Sequence, residues 1–353
     1  MAEFDVPEQH DTLPGVAAPV LTREIVGHEK QSALLAASYQ TGRLHHALMF
    51  EGLAGIGKAS LAFHLAQHLI AHPFAHDAPA NFETLSQDSD DFRQLVNGTH
   101  LQVLHLSRPF DPKTEKFKTM VTVDEIRRIN HFLSRTNTGA GYRVVIIDPI
   151  NDMNANAANA LLKNLEEPPG RTLFILIAHS AGRILPTIRS RCQIVHLSSL
   201  SDNDLKQAIA QASVSNKISD ADLDRLAAFS EGSVRRALML SGFGGLEVTD
   251  TADKLIAESV FDIDKAGKLG DAMTPREADI QYQLLIDHLL QRVAKAALRH
   301  GEANDTGRAE SMARYYGQTR QMLSEAQAFN LDRKQTIFGL ISALRDKTQA
   351  GLL

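Results

Sequence analysis

YRVVIIDPINDMNANAANALLKNLEEPPGRTLFILIAHSAGRILPTIRSRCQIV, residues Tyr142 to Val195, reads as strand, helix, strand, short helix and strand. Val144–Ile147 is an unbroken β-branched run, suited to a parallel strand buried on both faces. Asp148 ends it, at the carboxyl end of a strand, where open α/β sheets place their ligands. Asn154–Glu166 is rich in Ala and Leu and is stopped by Pro168-Pro169, the pattern of a helix with a firm end. Thr172–Ala178 is a second apolar strand. Arg189-Ser190-Arg191-Cys192 leads into a third, Gln193–Leu197.

The partner of this unit lies upstream. Strand-forming Ala47–Phe50 runs into Gly52-Leu-Ala-Gly55-Ile-Gly57-Lys58, and a helix follows from Lys58 to His72. A glycine turn between strand and helix aims backbone amides at an anion, the frame a phosphate-binding loop requires. Gly52, Gly55 and Gly57 form the turn, and Lys58 adds a point charge for the phosphates. The next position calls for Ser or Thr, whose hydroxyl ligates Mg²⁺. Here it is Ala59, with Ser60 one place late. A glycine turn without a ligand is the alternative reading. Asp148 fits the acid that helps hold Mg²⁺ in P-loop proteins, and Pro149, which follows it, has no side-chain base to activate water.

Composition narrows the class. At 353 residues the chain is long enough for two or three domains. A net charge of −5 argues against a general DNA coat, so any DNA contact is expected to be local or shared with other subunits. A single cysteine excludes an internal disulfide framework and fits a reducing, cytoplasmic setting. No run approaches a membrane span. Residues 1–21 lack apolar periodicity and a signal-peptide pattern and are expected to form a disordered tail.

GLAGIGKAS, VVIIDPINDMNANAANALLKNLEEPP and ILPTIRSRC together resemble the AAA+ clamp-loader family, most closely its delta-prime branch in bacterial DNA polymerase III. GRLHHALMFEG, GSVRRAL and NLDRKQ extend the resemblance over residues 24–350. It implies an α/β P-loop sheet domain (22–198), a small helical lid (199–245) and an all-α collar for oligomerisation (246–353). It also implies ATP or ADP at Gly52–Ser60, with Val26 beside the adenine and Arg235 as the second sensor arginine. Arg191 of the Ser-Arg-Cys triplet would reach a neighbour's γ-phosphate as an arginine finger, a fixed planar cation acting in trans. A surface arginine paired with Asp or Glu is the alternative. The implied partners are gamma/tau and delta subunits, the sliding clamp and primed DNA.

This chain departs from the family in several places. His179-Ser180 replaces the usual Thr or Asn sensor. His72–Thr99 contains no cysteine, so the zinc module of many relatives is not expected. His64, His68 and His72 share a helical face at a spacing of four, but no cysteine completes a ligand set.

The remainder reads more coarsely. Glu29–Gln40 is a first helix, Ala75–Asp91 a mobile surface insertion, Leu101–Leu106 a strand and Pro109–Thr119 a polar loop with three lysines. Val123–Ser134 is an amphipathic helix whose Arg127 and Arg128 are nucleic-acid candidates. Gly139-Ala140-Gly141 turns the chain. Helices capped near Ser201, Ser219 and Ser233 are followed by a break at Gly242–Gly245. Helices are then expected at Ala252–Leu269, Pro275–Arg299, Arg308–Ala328 and Asp332–Lys347. Two functions stay open: a non-motor clamp-loader subunit, or an active AAA+ ATPase motor of the gamma or remodelling type. A nucleotide-free scaffold is a third.

Overall fold

The computed structural model of the chain describes residues 4, 6–135, 141–180, 182, 184–212, 218–329 and 331–353. Gly139-Ala140 of the expected turn lies outside them. The helices of the first half are α1 (Glu29–Gln40), α2 (Lys58–Ala71), α3 (Asp90–Val96), α4 (Val123–Ser134), α5 (Ala155–Glu166), α6 (Pro186–Arg189) and α7 (Asp202–Ala212). The strands are β1 (Ala47–Glu51), β2 (Val103–Leu106), β3 (Phe110–Asp111), β4 (Lys116–Phe117), β5 (Arg143–Ile147), β6 (Thr172–Ala178) and β7 (Gln193–His196).

Five strands form a parallel sheet in the order β2-β5-β6-β1-β7. The β-branched runs take the centre because both sheet faces are covered by helices. Leu48, Phe50, Val144, Ile146, Leu173 and Ile175 point into one core with Leu61, Leu65 and Leu69 of α2. Met49, Val145, Ile147, Phe174 and Leu176 point the other way, onto α4 and α5. Successive residues thus serve opposite layers, the period-2 rule of a strand. Asn154 starts α5 by accepting a hydrogen bond from the Ala157 N–H at 2.8 Å.

The second half is helical: α8 (Asp220–Ser230), α9 (Val234–Gly242), α10 (Gly245–Ala257), α11 (Ile263–Ala272), α12 (Asp279–Glu302), α13 (Thr306–Ala328) and α14 (Arg333–Gln349). By contacts the chain falls into two units, Met1–Ser219 with Glu231–Arg235, and Asp220–Ser230 with Arg236–Leu353. The segment expected as a lid is therefore divided between them. The second unit closes its own core with Leu255, Leu285, Leu289, Ile337, Ile341 and Leu344.

Several expectations need correction. The described part of the N-terminal segment is packed: Leu13 and Val20 are buried, and Val20 joins the core beside α2. A few isolated apolar residues can dock on a finished surface without any periodicity to announce them. Within 75–91, Ala78 is buried, with Phe82 and Leu85 packed against the same core. The polar loop at 109–119 contains the β3–β4 hairpin, pinned by Phe110 and Phe117 with ring centroids 5.3 Å apart. Strand β2 starts at Val103, leaving Leu101 exposed. The expected helix 252–269 is two helices: α10 already starts at Gly245, and Asp262 caps α11 through the Lys265 N–H at 2.9 Å. The interruption at 301–307 is shorter, since α12 runs to Glu302 and α13 starts at Thr306.

Leu161 of α5 is fully buried against the sheet. Leu161→Ala is expected to lower the unfolding free energy by about 2–5 kcal/mol, whereas Asn154→Ala, which removes only the cap, costs about 1 kcal/mol. Urea unfolding followed by circular dichroism separates the two.

Candidate nucleotide-binding site

The loop after β1 is built by close approaches. Gly55 has φ +77, and a Cβ there would lie 2.4 Å from Cβ of Arg235 and 2.5 Å from Oγ of Ser233. Glycine is thus required both for the left-handed backbone and for the first turn of α9 to touch the loop. The Ser233 hydroxyl donates to the Ala54 carbonyl at 2.8 Å, and the Arg235 N–H to that of Gly55 at 3.3 Å. His28 supports the loop from the other side: its buried ring Nε2 pairs with the Ile56 carbonyl at 2.7 Å. Val26, two residues earlier, is half-buried.

Lys58 opens α2 and is buried. Its Nζ donates to the Gly52 carbonyl at 2.8 Å and to that of Leu53. Burial pushes the ammonium down to about 8, against the opposing pull of Asp148. Burial likewise lifts the Asp148 carboxyl to about 7; Asp11 and Asp152 add to the rise, while Lys58 and Arg235 oppose it. Ala59 offers no oxygen, and the Ser60 hydroxyl pairs with that of Thr22 at 2.8 Å. His179, just past β6, is held by its N–H to the Asn151 side chain at 2.7 Å. Its imidazole is pushed down to about 4 by burial and by Lys58. The structure therefore brings Gly52, Gly55, Gly57, Lys58, Asp148 and Arg235 to one edge of the sheet. Loop amides, Lys58 and Arg235 suit phosphate oxygens. The donors for Mg²⁺ do not form a set, since Ala59 has none and Ser60 is engaged elsewhere.

Arg191 lies at the opposite edge. Its Nη2 meets Glu166 Oε1 at 2.5 Å and its Nη1 donates to the Thr187 carbonyl at 2.8 Å. It lines a cavity of about 360 Å³ with His45, His46, Leu165, Glu166 and Cys192. His46 precedes β1 and Cys192 precedes β7, so this is the amino edge of the sheet. A strand of five residues separates it from Gly52, about 17 Å. Arg189 is structural, paired with Glu51 at 3.0 Å. Cys192 is half-buried, its thiol pushed up to about 12 by desolvation.

The other candidates are engaged locally. Arg127 pairs with Asp124 at 2.6 Å and Arg128 with Glu125 at 2.5 Å on the same helix. His64 bonds the Thr22 carbonyl at 2.8 Å, and His72 pairs with Glu83 at 3.0 Å. Among the described residues no group of His, Cys, Asp or Glu has metal-holding geometry. Sequence reasoning missed the role of His28, whose only signal was its place in Val26-Gly27-His28 ahead of α1. It also missed Asp11 and Asn151.

A strand–glycine loop–helix unit with an acid-ended strand one strand away, across β6, in a parallel sheet of this order, defines a P-loop α/β protein. Residues 27–201 match the family model described as DNA polymerase III, delta subunit. DNA polymerase III subunit delta' of Pseudomonas aeruginosa is 39% identical over 148 residues, 42% of this chain and 41% of its own. Its counterpart in Escherichia coli is 35% identical over 165 residues, covering 46% and 45%. DNA polymerase III subunit tau/gamma of Haemophilus influenzae is 28% identical over 287 residues, covering 79% of this chain and 38% of its own length. Each match thus spans less than half of the relative. These matches, of which the family model spans residues 27–201, support the AAA+ clamp-loader resemblance of the motifs. No helix among the described residues is long and apolar enough to cross a membrane.

The raised Asp148 carboxyl has a consequence for stability. Between its ordinary value of 3.8 and about 7 it keeps a proton in the folded chain that the unfolded chain has released. Its contribution to stability therefore falls as pH rises through that window, and the penalty is absent below it. Asp148→Asn is expected to raise the thermal midpoint near pH 8 and to leave it nearly unchanged near pH 4, read by melting curves in metal-free buffer.

Proposed function

We propose that this chain is a non-motor, delta-prime-like subunit of the clamp loader in a DNA polymerase III assembly in the cytoplasm. It works with gamma/tau and delta subunits to place the sliding clamp on primed DNA. The observation that carries this reading is the division of labour across the sheet. One edge has a phosphate-binding loop without a Mg²⁺ hydroxyl at Ala59 or a base at Pro149. The other edge presents Arg191, about 17 Å away and directed outside the chain's own site. The segments 199–245 and 246–353 belong to the same proposal as lid and oligomerising collar. The delta-prime relatives, more similar than the tau/gamma one, favour this branch.

In this reading the loop amides, Lys58 and Arg235 hold the phosphates of ATP or ADP, with Val26 toward the base, as a structural ligand. Arg191 exchanges Glu166 for the γ-phosphate of a neighbouring subunit and supplies fixed positive charge as the phosphoryl group loosens. The opposing reading, an ATPase motor, draws on Lys58 and Asp148, which stand close enough to shift one another.

Reconstitution with motor subunits, clamp and primed DNA tests the assignment. Arg191→Ala is expected to assemble normally and to lower turnover at the adjacent site by about 10³-fold. Unchanged turnover removes the finger. The isolated chain with Mg²⁺ is expected to show no Lys58-dependent hydrolysis; clear turnover lost in Lys58→Ala selects the motor.

A further inference from the structure

The N-terminal segment does more than pack. Pro7 lies 3.6 Å from where a Cβ on Gly98 would stand. The Ser107 hydroxyl, one residue past β2, donates to the Gln9 side-chain oxygen. The His10 ring packs edge-on against Phe117 at 6.5 Å, and its Nε2 is 3.9 Å from Asp152. The Arg235 guanidinium then donates to the Asp11 carbonyl, with the Asp11 carboxylate 3.4 Å away. Leu13 is buried beyond it. From Gln9 to Asp11 the chain thus lies at the carboxyl edge of the sheet, with Asp11 against Arg235, one of the residues gathered for phosphate.

The charges place Asp11 within that cluster. It acts on Asp148 and His179 as well as on His10, all groups at or beside the loop edge. It offers a carboxylate and a carbonyl to the same guanidinium that suits a phosphate. It also stands near enough to Asp148 to raise that carboxyl, a like-charge contact that works against the strap. Attraction to Arg235 is thus opposed by repulsion from Asp148, and the Asp11 side chain is half-exposed.

We propose that residues 7–13 are a removable strap that occupies the phosphate end of the nucleotide site, with Asp11 against Arg235 in place of a phosphate group. Strap and nucleotide are then mutually exclusive, and the site is open only in the fraction of molecules that have released the strap. This rests on reading Gly52–Ser60 as a nucleotide site. A ligand's apparent affinity falls by the competent fraction, so a strap closed in nine molecules of ten weakens binding about tenfold.

Titration of ADP without Mg²⁺ into four full or near-full chains tests it: the unaltered chain, Asp11→Asn, a deletion of residues 1–11, and that deletion with Lys58→Ala. The deletion is expected to bind at least about tenfold more tightly than the unaltered chain. Asp11→Asn should move in the same direction by less, and Lys58→Ala should lose the gain. Amide exchange in the unaltered chain should accelerate at residues 7–13 when ADP is bound. Equal affinity in the unaltered chain, Asp11→Asn and the deletion, lost on Lys58→Ala, overturns the strap and leaves the nucleotide site standing. Absence of binding in every form overturns both. Should the deletion fail to fold, Asp11→Asn and the exchange measurement decide.

Discussion

The placement of β6 between β1 and β5 is the constraint on which the rest of the molecule depends. Glu51 pairs with Ala178 and Ile147 with Leu176, so three strands end at nearly one level. That register delivers the glycine loop, Asp148 and His179 to a single edge. A shift of one residue would turn every side chain of β6 to the other face. Phe174 and Leu176 would leave the α4–α5 layer, and Leu173 and Ile175 would leave the α2 layer. The sheet's two cores thus hold the chemistry in register, and no residue of the site needs to do so.

Burial acts on the site in a consistent direction. Lys58 and Asp148 are both pushed toward their neutral forms, and each pulls the other back toward charge. His179 is held neutral by the same desolvation. The edge is therefore one where the carbonyl oxygens of Gly52 and Leu53 satisfy a buried Lys58. An anion carrying several oxygens would complete it better than these carbonyls, because charge-assisted bonds in a low-dielectric setting are stronger than neutral ones.

Strong local periodicity made the centre of the fold legible. The β-branched run before Asp148, the capped helix from Asn154 and the apolar run at 172–178 each carry their own signal, and each stands where its pattern put it. The β3–β4 hairpin has only two residues per strand, too few for any period to register. The glycines at 242–245 read as a break, yet Gly244 in the left-handed region starts α10 directly after α9. A Cβ on Gly245 would lie 2.8 Å from the Leu284 side chain and 2.9 Å from the Leu240 Cα, so glycine here serves a tight junction. His28 and Asp11 were illegible for a different reason. Their partners, Ile56 and Arg235, are 28 and 224 residues away. Residue types at the loop were readable; what touches them was not.

Helix α5 starts at Asn154 beside the Asp148 edge and ends with Glu166 against Arg191; its Leu165 carbonyl meets His46 at 3.0 Å at the head of β1. Twelve helical residues span about 18 Å, close to the height of the sheet. One stiff rod therefore acts as a ruler within the chain. It sets how far the guanidinium stands from the glycine loop, and a tilt of the rod carries both ends with it.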